Sequence, residues 1–183
     1  MRRVAGDDDG VDAFLAALGH PDDERAAASA RSRSQRRWLH QLAAESSTLA
    51  GVLLTLAERG DEVAVRCGPW THQGRLRSVT QALAMMESAD AVALLTVAAV
   101  TLVEASTEVT DDRMPEAGPD LDEVLAALAP ERPAVRLQLR DGTEVAGTLL
   151  GVGKDAAQVR LTSSVATVRL SALAACVLPE RGA

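Results

Sequence analysis

The downstream third of the chain alternates between apolar and polar positions in short runs. Val135, Leu137 and Leu139 alternate with Arg136, Gln138 and Arg140, the period-two pattern of a half-buried strand. Asp141-Gly142 follows at once and predicts a type I′ hairpin turn, which needs positive φ at its central residues. A second strand starts at Thr143, with Val145, Leu149 and Val152 facing inward. Gly147 falls inside it, where a missing side chain permits a bend or a close backbone approach. Gly153-Lys154-Asp155 leads into Ala157, Val159 and Leu161, Ser163-Ser164 turns into Val165–Leu170, and Ser171 feeds Leu173 through Leu178. Five short strands joined by tight turns predict a curled sheet rather than an α/β unit.

A degenerate copy of this stretch lies upstream. Val52, Leu53, Leu56, Ala57, Val63 and Val65 align with Val124, Leu125, Leu128, Ala129, Val135 and Leu137. After one extra residue in the downstream turn, Gly74 meets Gly147, Leu76 meets Leu149, Val79 meets Val152, Val92 meets Val165 and Val100 meets Leu173. The repeated unit is a helix followed by five strands. Strands are predicted at 62–67, 70–79, 82–87, 89–96 and 100–104, with a turn at Gly68-Pro69.

Ahead of the repeats, Val11, Phe14, Leu15 and Leu18 fit a short helix ending at Gly19, and PDDERAAASARSRS reads as a loose, polar stretch. From Gln35, the positions Trp38, Leu42, Leu49, Val52, Leu53 and Leu56 keep helical spacing as far as Gly60, with Ser46-Ser47-Thr48 as a possible break. Before the second repeat, Asp120 caps a helix holding Leu121, Val124, Leu125 and Leu128, and Asp122 and Glu123 sit in its first turn. Pro130 and Pro133 close it. The expected organisation is a disordered or loosely helical segment over 1–34, a helix plus first sheet unit over 35–106, an acidic linker over 107–119, and a second unit over 120–183.

Composition narrows the functional classes. A net charge of −7 argues against a general polyanion binder, because nonspecific nucleic-acid affinity comes from cationic neutralisation of phosphates. Lys154 is the only lysine among 19 cationic residues, a usage typical of a GC-rich bacterial genome. The charge is unevenly placed: residues 31–60 are arginine-rich, whereas 107–133 and the opening MRRVAGDDDG are acidic. Cys67 and Cys176 form no CxxC and read as buried free thiols of a cytoplasmic protein. The opening carries no export signal pattern, and the apolar run Ala91–Val103 is too short to span a bilayer and reads as two strands.

A helix followed by five strands, with VRLQLRDGTEVAGTLLGV in the second copy, resembles the Sm-like family of small RNA-associated barrels. The fold class this implies is mainly β with α: an N-terminal helical region followed by two helix-plus-five-strand small barrels. At the nucleotide-contacting positions the resemblance points to Lys154, Gln158 and Arg169, although the family's Arg-Gly pair is Arg169-Leu170 here. The corresponding residues of the first copy, Met85 and Thr96-Val97, retain nothing of that pattern. Aromatic side chains for base stacking are nearly absent, since only Phe14, Trp38 and Trp70 are aromatic.

Residue chemistry nominates no catalytic group, metal ligand or cofactor. Gly151-Val152-Gly153-Lys154 lacks the spacing and following helix of a phosphate loop, and His20, His40 and His72 are scattered. Arg31, Arg33, Arg36 and Arg37, beside Trp38, form the best anion-contacting cluster. The expected role is a noncatalytic interaction protein that pairs sheet edges with itself or a protein partner. The alternative is an RNA- or DNA-associated regulator using the Arg31–Arg37 cluster and the second repeat.

Overall fold

In a computed structural model, residues 21–179 are described. The expected helix at 11–18 and the acidic start lie outside them. Helix α1 (Pro21–Ser46) runs through the stretch read as loose and through the boundary placed at 34/35. Its run of Ala and Arg explains the difference, because both are strong helix formers and need no apolar face to favour the helix locally. Through Glu45, α1 belongs to a different compact unit from the remainder of the chain.

The break at Ser46-Ser47-Thr48 is real. Helix α2 (Leu49–Arg59) starts afresh with Thr48 as N-cap, whose hydroxyl accepts from the Gly51 N–H at 3.0 Å. Gly60, with φ +67°, ends it in the left-handed conformation that a residue without Cβ adopts cheaply. Leu53 and Leu56 drive α2 onto the sheet, each fully buried. Helix α3 (Leu121–Leu128) carries a complete capping box: the Asp120 side chain accepts from the Glu123 N–H, and Glu123 returns a bond to the Asp120 N–H.

The strands are β1 (Glu62–Cys67), β2 (Trp70–Val79), β3 (Leu83–Glu87), β4 (Ala91–Thr96) and β5 (Val100–Ala105), then β6 (Ala134–Leu139), β7 (Glu144–Val152), β8 (Ala156–Arg160), β9 (Val165–Arg169) and β10 (Leu173–Pro179). They form one ten-stranded antiparallel sheet in the order β5-β1-β2-β3-β4-β10-β6-β7-β8-β9. The order of the first five is repeated by the second five, and a 3-10 turn precedes the last strand of each half (Val97–Ala99 and Leu170–Ala172).

The expected two separate small barrels give way to a single open sheet. Within the described strands no ladder joins β4 to β5 or β9 to β10, so neither half closes on itself. Instead β4 of the first half pairs with β10 of the second, and the halves share one continuous sheet.

Each half is bent at the same place. The registers of β2 with β3 and of β7 with β8 shift at Leu76/Ser78 and Leu149/Gly151, equivalent positions in the repeat. Gly74 and Gly147 precede these bulges. A Cβ on Gly74 would lie 2.2 Å from the Glu87 carbonyl oxygen, and one on Gly147 would lie 2.2 Å from that of Arg160. The predicted close backbone approach is therefore present in both halves.

The hairpin at Asp141-Gly142 has a different turn from the one expected. Among the described residues the only non-glycine with positive φ is Arg132, so Asp141 does not fit type I′. The Gly142 N–H bonds the Leu139 carbonyl at 3.1 Å, Gly142 takes φ +93°, and the Asp141 carboxylate accepts from the Thr143 N–H at 2.9 Å. A wider loop with glycine in its bulge position and an aspartate-capped turn replaces the two-residue hairpin.

Two cores lie on this frame, and they exchange strands. The first gathers Leu53, Leu56, Val65, Leu76 and Met86, and takes Ala174, Ala175 and Val177 from β10. The second gathers Leu121, Leu125, Val135, Leu137, Leu149 and Val159, and takes Leu83 and Leu94 from β3 and β4. Alternation along β4 and β10 sends successive side chains to opposite faces, so each strand contributes to both cores.

Candidate functional site

Three places on the sheet combine exposed or strained chemistry: the seam between the halves and the two outer edges. At the seam, Ala91–Leu95 of β4 pair antiparallel with Ala175–Pro179 of β10. A second set of contacts crosses above this ladder. Trp70 Nε1 donates to the Leu139 carbonyl at 2.8 Å, tying the start of β2 to the end of β6. The turn Gly68-Pro69 rests on the facing hairpin, with a Cβ on Gly142 only 3.5 Å from the Pro69 side chain.

A cleft of about 300 Å³ opens between β2, β3, β4, β10 and β6. His72, Arg136 and Gln138 line it with Ser88 and Asp90, over an apolar floor of Met86, Ala93 and Val177. Gln138 is the one buried polar side chain among the described core residues, and its Nε2 donates to Glu144 Oε2 at 3.1 Å. Its Oε1 and the Nε2 of His72 lack well-formed bonds to other groups, while the two side chains contact each other across the seam. Burial pushes the His72 pKa below its ordinary value and the nearby Arg136 cation adds to this; the Gln138 contact opposes both.

The outer edges are β5 and β9. The Leu161 N–H bonds the Ser164 carbonyl and the Leu170 N–H bonds the Asp155 carbonyl, which fixes the phase of the β8–β9 ladder. The backbone groups of Val165, Thr167 and Arg169 consequently point away from β8, toward the open side. Each edge also carries an exposed large apolar side chain, Leu102 on β5 (38% exposed) and Val165 on β9 (53% exposed).

The sequence-predicted site residues fall into two groups. Lys154 in the β7–β8 turn, Gln158 on β8 and Arg169 at the end of β9 are all exposed. Ala156 pairs with Arg169, and Ala157 and Val168 are buried on the opposite face, so Gln158 and Arg169 share the solvent face of one hairpin. Arg31, Arg33, Arg36 and Arg37 lie on α1, in the other unit, and the last three are exposed, as is Trp38 at 59%.

The acidic linker is strapped onto α2 rather than loose. The Asp111 carbonyl accepts from the Thr48 N–H at 2.9 Å and from the Ser47 hydroxyl at 3.2 Å, and the Asp111 carboxylate accepts from the Thr55 hydroxyl. Arg113 reaches both Glu58 oxygens, at 2.9 and 2.7 Å, and the Asp111 carboxylate. The Arg113 guanidinium and then the Thr55 hydroxyl hold the Asp111 carboxyl well below the usual carboxylate range.

Sequence reasoning passed over Trp70, His72 and Gln138. Their signal is a departure from the repeat: Trp70 and His72 stand where the second copy has Thr143 and Val145. At the second position a titratable imidazole stands where the other copy carries an apolar valine.

Fold and site together define a mainly β chain built on one open antiparallel sheet with an internal seam and two unpaired edges. No protein-family model matches this chain, and no curated protein matches its sequence. Among the described residues, no helix is long and apolar enough to cross a membrane, and no group of three His, Cys, Asp or Glu side chains is placed to hold a metal ion.

Proposed function

We propose that the chain is a noncatalytic interaction protein made of two Sm-like units, which assembles by pairing its sheet edges. The observation that carries this reading is the seam. It already joins the fourth strand of one half to the fifth strand of the other, and the outer edges are the same two kinds of strand left without partners. Transferring the seam register by the repeat places Val168 of one copy opposite Leu102 of the next, and Thr167 opposite Val103. The exposed apolar residues of both edges then fall within the contact. Exposed edges invite pairing, and covering them with a second copy removes that liability.

Thr167→Pro tests it. Thr167 directs its N–H to the open side, so proline removes an edge donor while sparing the bonds to β8. Light scattering across a wide concentration range should show the wild type gaining mass and T167P remaining a monomer, with unchanged circular dichroism. A wild type that stays monomeric at high concentration, with no protein partner recovered by pull-down, overturns the reading.

The exposed Arg33, Arg36 and Arg37 beside exposed Trp38 favour one second reading, contact of α1 with RNA or DNA. It is tested by fluorescence anisotropy with a single-stranded oligonucleotide at rising salt. Affinity should fall steeply with salt and drop when Arg31, Arg33, Arg36 and Arg37 are replaced by glutamine. Absence of low-salt binding, or indifference to the four changes, removes it.

A further inference from the structure

We propose that the seam is a proton-responsive joint, in which protonating His72 loosens the junction between β4 and β10. His72 belongs to the first half, with Thr71, Gln73, Ser88 and Asp90 beside it in the lining, while the second half brings Arg136 and Gln138 on β6 into the same cleft, with Gln138 anchored to Glu144 on β7. From β10 it faces the apolar Val177, and from β3 and β4 the apolar Met86 and Ala93. Asp90 and Ser88, in the β3–β4 turn, stand at the rim of the cleft, and Asp90 is the one lining carboxylate that favours a cation there.

A neutral imidazole fits this setting. A charged one faces Arg136 across the cleft and is held in a half-buried site. Opening the seam separates His72 from Arg136 and returns it to water, so the open state binds the proton more tightly than the closed one. By linkage, protons therefore favour opening. The sign follows from the depressed value: the contribution is complete above the ordinary imidazole value of 6.5 and is lost as pH falls through the folded one. The inference does not depend on assembly at the outer edges, because it concerns a junction inside one chain.

Two buried thiols report on it. Cys176 sits in β10 opposite Leu94 at the seam, whereas Cys67 sits in β1 within the first core; both are fully buried and free. The experiment labels native protein with 4,4′-dithiodipyridine and resolves the two cysteines by peptide mass spectrometry, with each rate divided by that of the unfolded chain at the same pH. Between about pH 7.5 and about pH 5.5, where imidazole titrates, Cys176 labelling should accelerate relative to Cys67 by about threefold or more. His72→Gln, which keeps a polar side chain that carries no charge in this pH range, should abolish the acceleration, and Arg136→Gln should reduce it. The proposal is overturned by an unchanged ratio in the wild type, by both cysteines accelerating together, or by persistence of the effect in H72Q. Should H72Q fail to fold, an acceleration unaltered in R136Q overturns it equally.

Discussion

Gly147→Val is expected to lower the stability of the sheet unit by about 3 kcal/mol or more, at the upper end of overpacking costs. The first added carbon would stand 2.2 Å from the Arg160 carbonyl oxygen and 2.9 Å from Val159 Cγ1. The nearer obstacle is backbone, and it belongs to a strand held on both sides by β7 and β9. A flexible side chain could swing away; this carbonyl cannot move without breaking ladder bonds. Gly74→Val meets the same obstacle at Glu87 in the first half, with the added strain of φ +154°. The control lies four residues from Gly147. Gly151 has nothing within 4 Å of a built Cβ and ordinary φ, so Gly151→Ala should be neutral or raise stability by about 0.4–1 kcal/mol through the unfolded chain. Urea titrations followed by circular dichroism compare the three. A loss below about 0.5 kcal/mol in G147V, within the spread of ordinary surface changes, would show that β8 yields.

That pair of glycines also shows what a sequence of this kind reveals. The alternation of Val135, Leu137 and Leu139, the helix stop at Gly60 and the boundaries of Trp70–Val79 were all readable, because each depends on side-chain periodicity or local backbone preference. The equivalence of Gly74 and Gly147 was readable as well, and both sit before a bulge. Which strands become neighbours was not. Period-two alternation states which residues face a core, and leaves open whether β4 turns back to β5 or pairs with β10. The apolar runs Ala91–Thr96 and Leu173–Leu178 held the clue, since a strand that feeds one core per face has no polar side. Of the site residues, Gln158 and Arg169 share a face because strand register follows from alternation. Their relation to the arginines of α1 had no such local rule behind it, and those arginines belong to the other unit. Trp70 and His72 could be read as departures from the repeat, but their partners Leu139 and Gln138 depend on the seam itself.

Leu94→Ala should cost about 2–5 kcal/mol, the range for truncating a buried leucine that leaves a cavity. Leu94 is carried by the first half, only 4% exposed, and packs in the second core with Leu83, Leu121, Leu125 and Cys176. The truncation therefore removes packing from a core most of whose residues lie more than twenty positions away along the chain. Its consequence is sharper than its size. If the halves fold as one unit through exchanged strands, a change on β4 must destabilise both. Trp70 reports on the first half because it packs against the first core, and replacing Trp38 by Phe leaves it as the single indole. Urea unfolding of the W38F background should then give coincident transitions by Trp70 fluorescence and by circular dichroism. Leu94→Ala should move both midpoints down together. A Trp70 transition that stays in place while the remaining signal shifts would mean that the halves are independent and the seam is only a contact between them. Coincident movement would mean that the seam is part of the fold, and that only β5 and β9 remain as edges able to pair with another copy.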